Sequence, residues 1–247
     1  MTRPSVSCVT WNVHRAVGRD GRCDPVRVVD AIRTDIRPEV PQILALQEAD
    51  SDDAPHPSLL DVAAVERATG LRSVHDDDDM RWSAVGGGFL GNILLLHPDM
   101  QVRRRRIVDL PGHCPRAAVL AEVTVADRPL RVVSCHLSLG QALRVVQLRT
   151  LGQVVARADT MQTILLGDLN EWRPWGGLAL SHRVTGLRLS GPARRTFPAA
   201  RPLLPLDRIL SDGGSVSDVR ALDGAAVVAA SDHRPLAAHV ALREAAA

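Results

Sequence analysis

Short apolar runs separated by polar turns recur along the chain, and most are too brief to be helices. Eight of them read as buried strands. They are "VSCVTWNV" (6–13), "QILALQ" (42–47), "GNILLLH" (91–97), "AAVLAEVTV" (117–125), "LRVVSCHL" (130–137), "TILLGDLN" (163–170), "LDRILS" (206–211) and "PLAAHVAL" (235–242). Three stretches carry helical periodicity instead. "DPVRVVDAIRTDI" (24–36) opens with Asp24 and Pro25 in N-cap and first-turn positions. "SLLDVAAVERATG" (58–70) closes on a glycine, and "GQALRVVQLRTLGQVVARA" (140–158) keeps its apolar residues largely on one stripe. Strands outnumber helices, and several are separated only by short turns, so part of the sheet system must be antiparallel. The pattern predicts two packed sheets with helices outside, in one domain over residues 1–247. Between 171 and 205 the chain is rich in Pro, Gly and Arg, which predicts a long surface excursion of the functional kind.

Composition narrows the chemistry. The 247 residues are 45% apolar, enough for a sizeable core, and all 30 basic residues are arginine. Without lysine the chain has no Schiff-base, pyridoxal-phosphate or Walker-type chemistry of its own. Arginine is a good phosphate ligand, because its planar fork binds two oxygens together. The net charge of +2 creates no strong field for nucleic acid. Cys8, Cys23, Cys114 and Cys135 lack metal-site spacing and read as free intracellular thiols. The opening "MTRPSVSCVTWNV" has no apolar leader core, and no run reaches the ~20 residues of a membrane span. A soluble, cytoplasmic protein with no stable protein partner is the expectation.

The chemistry-bearing residues collect at strand ends. Asn12 follows the first strand in "TWNVH", with His14 two residues on; Glu48 ends "QILALQE"; His136 ends "LRVVSCH". Asp168 and Asn170 end "TILLGDLN", and "SDHRPL" brings Asp232 and His233 into the last strand. Each alone has a bland reading: a turn-forming Asn, a solvated Glu, a half-buried His, an Asx-turn. Together they suggest one cleft at a sheet edge.

The blocks "TWNVH", "LQE", "GNILLL", "CHLSLG", "GDLNEW", "RTFP", "LDRIL" and "SDHRPL", in that order, resemble the endonuclease/exonuclease/phosphatase superfamily. The resemblance covers nearly the whole chain and implies a DNase I-like four-layer α/β sandwich: two mixed, largely antiparallel sheets flanked by helices. It also implies Mg²⁺-dependent cleavage of phosphate esters, with Mn²⁺ an alternative ion. By this likeness Glu48 is the principal metal ligand, with Asn12 beside it and Asp232 adding to the metal side. Asp168 resembles the residue that orients or deprotonates the attacking water, and Asn170 a donor to the scissile phosphate. His233 resembles the central histidine, either general base or phosphoryl donor, with Asp207 holding its other nitrogen. His136 resembles a candidate acid for the leaving oxygen, and Arg116 a weaker match to a phosphate-contacting arginine.

The superfamily's substrates range from nucleic acid to phospholipid headgroups and small phosphodiesters, and the shared core does not choose among them. The absence of tyrosine and of a basic, aromatic-studded face weighs against a dedicated DNA-repair enzyme. The expected activity is a phosphodiesterase or phosphatase on a phospholipid-related or small phosphodiester. A nonspecific endo- or exonuclease is the alternative, and a catalytically silent binding module of the same fold a further one. "RRRR" (103–106) reads as a solvated face, or as contact with polyanionic substrate or an anionic membrane if it lines the cleft. "HDDDD" (75–79) reads as an exposed acidic loop. Trp11 and Phe89 read as core, whereas Trp172, Trp175 and His14 are open between site and packing roles.

Overall fold

The computed structural model of the chain describes residues 4–243; residues 1–3 and 244–247 of the expected domain lie outside the described residues. The chain enters through β1 (Ser5–Asn12) and then α1 (Pro25–Ala31), whose N-cap Asp24 accepts from Arg27 N at 3.1 Å. A π turn over Ile32–Ile36 continues it, so the helix expected over 24–36 is present with a wider last turn. After β2 (Ile43–Gln47) comes α2 (Val62–Thr69). It starts later than expected because the Asp61 carboxylate, which accepts from Ala64 N, supplies the cap, and it ends on left-handed Gly70. The short β3 (Arg72–Ser73), β4 (Ile93–Leu96), β5 (Gln101–Leu110), β6 (Arg116–Val125) and β7 (Arg128–His136) follow. Then come α3 (Gln141–Ala156), β8 (Gln162–Asp168), α4 (His182–Thr185), β9 (Asp207–Ser211), β10 (Val216–Ala221), α5 (Ala225–Ala230) and β11 (Leu236–Ala241).

The strands form two mixed sheets, ordered β10-β11-β1-β2-β4-β3 and β5-β6-β7-β8-β9. Within them β1 and β2 are parallel, as are β7 and β8, and the other neighbours are antiparallel. Strand alternation sorts the apolar residues into three layers of core. Val6, Cys8, Ile43, Ala45, Ile164, Leu166, Leu236 and Val240 fill the space between the sheets. Val9, Trp11, Leu44 and Leu46 point the other way, onto α1, α2 and α5. Val133, Cys135, Leu165 and Leu210 face α3 from the second sheet. Helix, sheet, sheet and helix make the expected four-layer sandwich.

The arginine run lies in β5, an edge strand, where Arg104 to Arg106 pair with Glu122 to Leu120 of β6. The expected acidic loop meets it: Arg105 bonds the carboxylates of both Asp76 and Asp77. The four cysteines are free thiols, Cys8 and Cys135 buried, Cys23 and Cys114 exposed. Among the described residues no helix is long and apolar enough to cross a membrane.

Candidate active site

The period-2 rows that build the inter-sheet core also deliver the polar residues. In β1 the row Val6, Cys8 continues through Thr10 to Asn12, and in β2 Ile43, Ala45 leads to Gln47. In the second sheet the rows through Leu130 and Val132, through Ile164 and Leu166, and through Ile209 end on His136, Asp168 and Asp207. Register sets those three side by side, His136 opposite Asp168 and Asp168 opposite Asp207. The candidate site is therefore the end of the inter-sheet core, where the apolar residues give out. Loops complete it. Glu48 follows β2 with φ of 56°, and Gly91 packs so closely that a Cβ there would stand 3.2 Å from Glu48 Cα.

Asp168 is the centre of the constellation. Its Oδ2 accepts from Asn12 Nδ2 at 3.0 Å and faces His136 Nε2 at 3.5 Å and His233 Nε2 at 3.9 Å. Its Oδ1 accepts from Asn170 N at 2.9 Å. Asn12 Nδ2 also donates to Glu48 Oε1 at 3.1 Å, so one amide joins the two carboxylates. Arg15 holds the other Glu48 oxygen at 2.8 Å and reaches Asp52 at 2.7 Å. Asn170, at φ of 50°, ties its side-chain amide to Leu137 O at 2.8 Å, which leaves one N–H for another partner.

His233 is fixed on three sides. Asp207 accepts from its Nδ1 at 2.8 Å, Phe197 packs against the ring at 4.9 Å between centroids, and Trp11 Nε1 donates to its carbonyl at 2.9 Å. Thr196 Oγ1 donates to the same Asp207 oxygen at 2.5 Å. Trp11 is thus buried core, as expected, and also a brace for the site. Burial disfavours the charged ring, but the carboxylates of Asp207, Asp168 and Asp232 outweigh it and hold the pKa of His233 at about 10. For His136 burial wins: desolvation takes its pKa to about 4, against the pull of Asp168. At neutral pH one histidine carries its second proton and the other does not.

Asp232 lies on the His14 side of the site. Its Oδ1, 3.7 Å from His14 Nδ1, is a buried atom without a hydrogen-bond partner. His14 turns the same ring nitrogen to Val17 O at 3.0 Å. Beside Glu48 and His136 opens a cleft of about 320 Å³, lined also by Arg15, His56, Trp82 and Arg116. Arg116 therefore stands in the wall of this cleft. The two tryptophans after "GDLN" do not wall this cleft. Trp172 stacks under Arg173 at 5.0 Å, and Trp172 and Trp175 are 51% and 75% exposed. Trp82 takes the wall instead, edge-on to half-buried Phe89 at 5.4 Å. The arginine run does not line the cleft, because it occupies the middle of β5 rather than the end that pairs with Arg116.

Sequence reasoning missed Arg15, Thr196, Phe197 and Trp82. Thr196 and Phe197 stand within the "RTFP" block, on the excursion after β8, and only folding brings them to His233. Arg15 and Trp82 carry no local signal.

The donor set bears on the ion expected here. Glu48 and Asp168 offer hard oxygen atoms to either side of one point, and two carboxylates bridged by a single amide suit an added divalent charge. Asn12 turns its Nδ2 to both and its Oδ1 to His14 N, so it could ligate only with its amide reversed. That chemistry fits Mg²⁺ or Mn²⁺. Asp168, Asp207 and His233 also bring ligand atoms within 4.8 Å of one another. In that second group, however, Asp207 and Nδ1 of His233 are already spent on each other.

Comparison with known proteins agrees with this fold. An uncharacterized protein, YbhP, of Escherichia coli K12 is 31% identical over 161 residues, which cover 62% of this chain and 63% of that protein. The match therefore spans less than two thirds of that relative. An endonuclease/exonuclease/phosphatase from Bacteroides vulgatus superposes with a TM-score of 0.73 at 15% identity, covering 98% of this chain and 100% of that one. The D. rerio TDP2 complexed with single strand DNA product superposes at 0.68 and 15%, covering 96% and 98%. At such identities the likeness is one of fold. A sequence profile is more specific: it matches residues 9–233, from within β1 to His233, and by that match the chain belongs to the Endonuclease/Exonuclease/phosphatase family.

Proposed function

We propose that the protein is a divalent-metal-dependent phosphodiesterase that attacks its substrate with an activated water. The observation that carries this reading is the convergence of Asn12, His136 and His233 on one carboxylate oxygen, Asp168 Oδ2. Family membership supports the class, since the family includes metal-dependent phosphoesterases and nucleases. Glu48 would hold the Mg²⁺ or Mn²⁺, joined by Asn12 once its amide turns the oxygen from His14 N toward the ion, with Asp232 the weaker candidate because it faces His14. The ion would supply Lewis-acid neutralisation of phosphate charge.

The remaining steps belong to the chain's own groups. Asp168 accepts hydrogen bonds and can orient the attacking water and draw off its proton. His233, with Asp207 on Nδ1 and a pKa raised to about 10, is a charged donor to a phosphoryl oxygen rather than a general base. Neutral His136 offers an N–H to the departing oxygen, with Arg116 nearby as a further positive charge. The free N–H of Asn170 is the last donor. No covalent enzyme intermediate is required.

A cleft of about 320 Å³ suits a small or phospholipid-related phosphodiester. A nuclease is the alternative, favoured by the likeness in fold to a protein bound to single-strand DNA product. A silent binding module would not need His233, Asp207 and Asp168 in bonded array. The test is hydrolysis of bis-p-nitrophenyl phosphate with Mg²⁺ or Mn²⁺. Turnover is expected, abolished by EDTA and by His233→Ala; metal-independent turnover overturns the mechanism. Supercoiled plasmid, anionic phospholipid vesicles and inositol phosphates, assayed in parallel, separate the substrate classes.

A further inference from the structure

Directly behind Asn170 stands a residue that the reaction does not use. Glu171 is fully buried, and arginines surround it. Arg144 of α3 donates to its Oε2 at 3.3 Å, and Arg173 donates to Oε1 at 2.7 Å and to Oε2 at 3.1 Å. Arg208 of β9 donates to the Glu171 carbonyl at 3.1 Å and to the Arg173 carbonyl at 2.8 Å. Arg144 and Arg208 are each 1% exposed.

The same arginines reach the other catalytic loop. Arg144 Nη1 donates to the carbonyls of Ser138, at 3.3 Å, and Leu139, the residues that follow His136. Asn170 closes the circuit through Leu137 O at 2.8 Å. Glu171 is therefore a junction between the segment behind His136, the segment behind Asp168, helix α3 and strand β9. Alternation along β9 makes the division of labour physical. Asp207 projects between the sheets to hold His233, and the next side chain, Arg208, projects to the opposite face and holds 171–173.

Burying so many charges is a poor way to gain stability, because desolvation offsets the attraction. What forked guanidiniums do supply is angle and distance, since each binds two acceptors in a fixed plane. They also satisfy backbone carbonyls in both loops. We propose that Glu171, with Arg144 and Arg208, is a positioning hub. It fixes the loops that leave His136 and Asp168, and with them the placing of Asn170 against the pair that strand register aligns, and so the contacts made in the transition state rather than those that bind substrate.

This inference rests on the phosphodiesterase reading, and the test keeps the two apart. Glu171→Gln retains the shape and removes the charge. Arg208→Lys retains a donor for the two carbonyls, whereas Arg208→Met removes it. On bis-p-nitrophenyl phosphate, Glu171→Gln and Arg208→Met are expected to lower kcat by about 10- to 100-fold, the cost of displacing groups by a fraction of an ångström to an ångström. KM is expected to hold within about two-fold, and Arg208→Lys to recover most of the loss. The second readout needs no activity: the imidazole NMR signals of His136 and His233 in metal-free protein. They are expected to move in Glu171→Gln and Arg208→Met and to return in Arg208→Lys.

A wild-type protein inactive on every diester, with the histidine signals still moving, removes the phosphodiesterase reading and leaves the hub. Lowered Tm with unchanged kcat and unmoved histidine signals makes the cluster merely structural and overturns the proposal. So does a rise in KM at constant kcat. Should Glu171→Gln fail to fold, the comparison of Arg208→Lys with Arg208→Met decides alone.

Discussion

The 2.8 Å bond from Nδ1 to Asp207 leaves only the Nε2 edge of His233 to face Asp168 and an incoming phosphate. A carboxylate in that position orients the ring and stabilises its charge together, so the pair should act as a unit. Asp207→Asn is expected to lower kcat by ~10²- to 10⁴-fold with little change in KM, close to the effect of His233→Ala. Steady-state kinetics on a chromogenic diester checks it; a kcat near wild type would show that the ring needs no partner. A second histidine, distant from the site, governs acid stability. His75 donates from Nδ1 to Met80 O at 2.6 Å and accepts at Nε2 from Leu94 N at 3.1 Å, so its neutral tautomer is fully used. Burial lowers its pKa from 6.5 to about 4. A depressed histidine contributes stability above pH 6.5 and loses it as pH falls toward 4, where the unfolded chain binds the proton first. His75 alone should account for about 3 kcal/mol of stability lost across that window. His136, lowered in the same direction, adds to the slope. Urea midpoints from pH 7 to 4 should fall less steeply in His75→Gln than in wild type, and an unchanged slope would remove His75 as the cause.

At the level of elements, β7 and β8 carry the heaviest demand, because their parallel pairing sets His136 against Asp168. Gly167, one residue before Asp168, has φ of 143°, and a Cβ there would meet Cys135 O at 1.9 Å. Neither the conformation nor the contact admits a side chain. Gly167→Ala is expected to cost roughly 2–4 kcal/mol in urea unfolding and to push the two strands apart at the site. A loss below about 0.5 kcal/mol, the range of surface substitutions, would show that the backbone relaxes there. The elements that the residue pattern exposes are those buried on both faces. All eight apolar strand runs became strands, since each had to hide both rows of side chains. β5 escaped because its middle is arginine, and β10 because its pattern "VSDVRA" is mostly exposed; both are outer strands of their sheets. Six-residue α5, "AAVVAA", is too short to display a period. The site was legible in the same uneven way. Asn12, Glu48, His136, Asp168, Asp207 and His233 stand at strand ends or just beyond them, in short motifs. Arg15, Trp82, Thr196 and Glu171 owe their places to loops whose course follows from tertiary packing alone, and for that reason the sequence leaves Trp172 and Trp175 open between pocket and packing while Trp82 takes the cleft wall.

For the molecule as a whole, the consequence lies in how the site is divided. Asn12, Glu48 and His233 come from the first sheet and its loops, whereas His136, Asp168 and Asp207 come from the second. The Asn12 amide, bonded to Glu48 at 3.1 Å and to Asp168 at 3.0 Å, already crosses the seam. A divalent ion held at this point would bind both halves of the sandwich and, having no such site in the unfolded chain, would stabilise the native state by mass action. At a concentration ~100 times its Kd the gain is about 2.7 kcal/mol. For a chain of this length that is a rise in Tm of roughly 5–10 °C. Thermal unfolding with increasing Mg²⁺ or Mn²⁺ should show that rise and its reversal by EDTA. Glu48→Gln should abolish it; its amide keeps one oxygen to accept from Arg15 or Asn12 and turns an N–H toward the other donor, so the metal shift is read against that variant's own metal-free Tm. Asp207→Asn, which alters the histidine pair instead, should retain most of the rise. Equal metal shifts in wild type and Glu48→Gln would place the ion elsewhere, and no shift in either would leave the carboxylates of this seam to act without one.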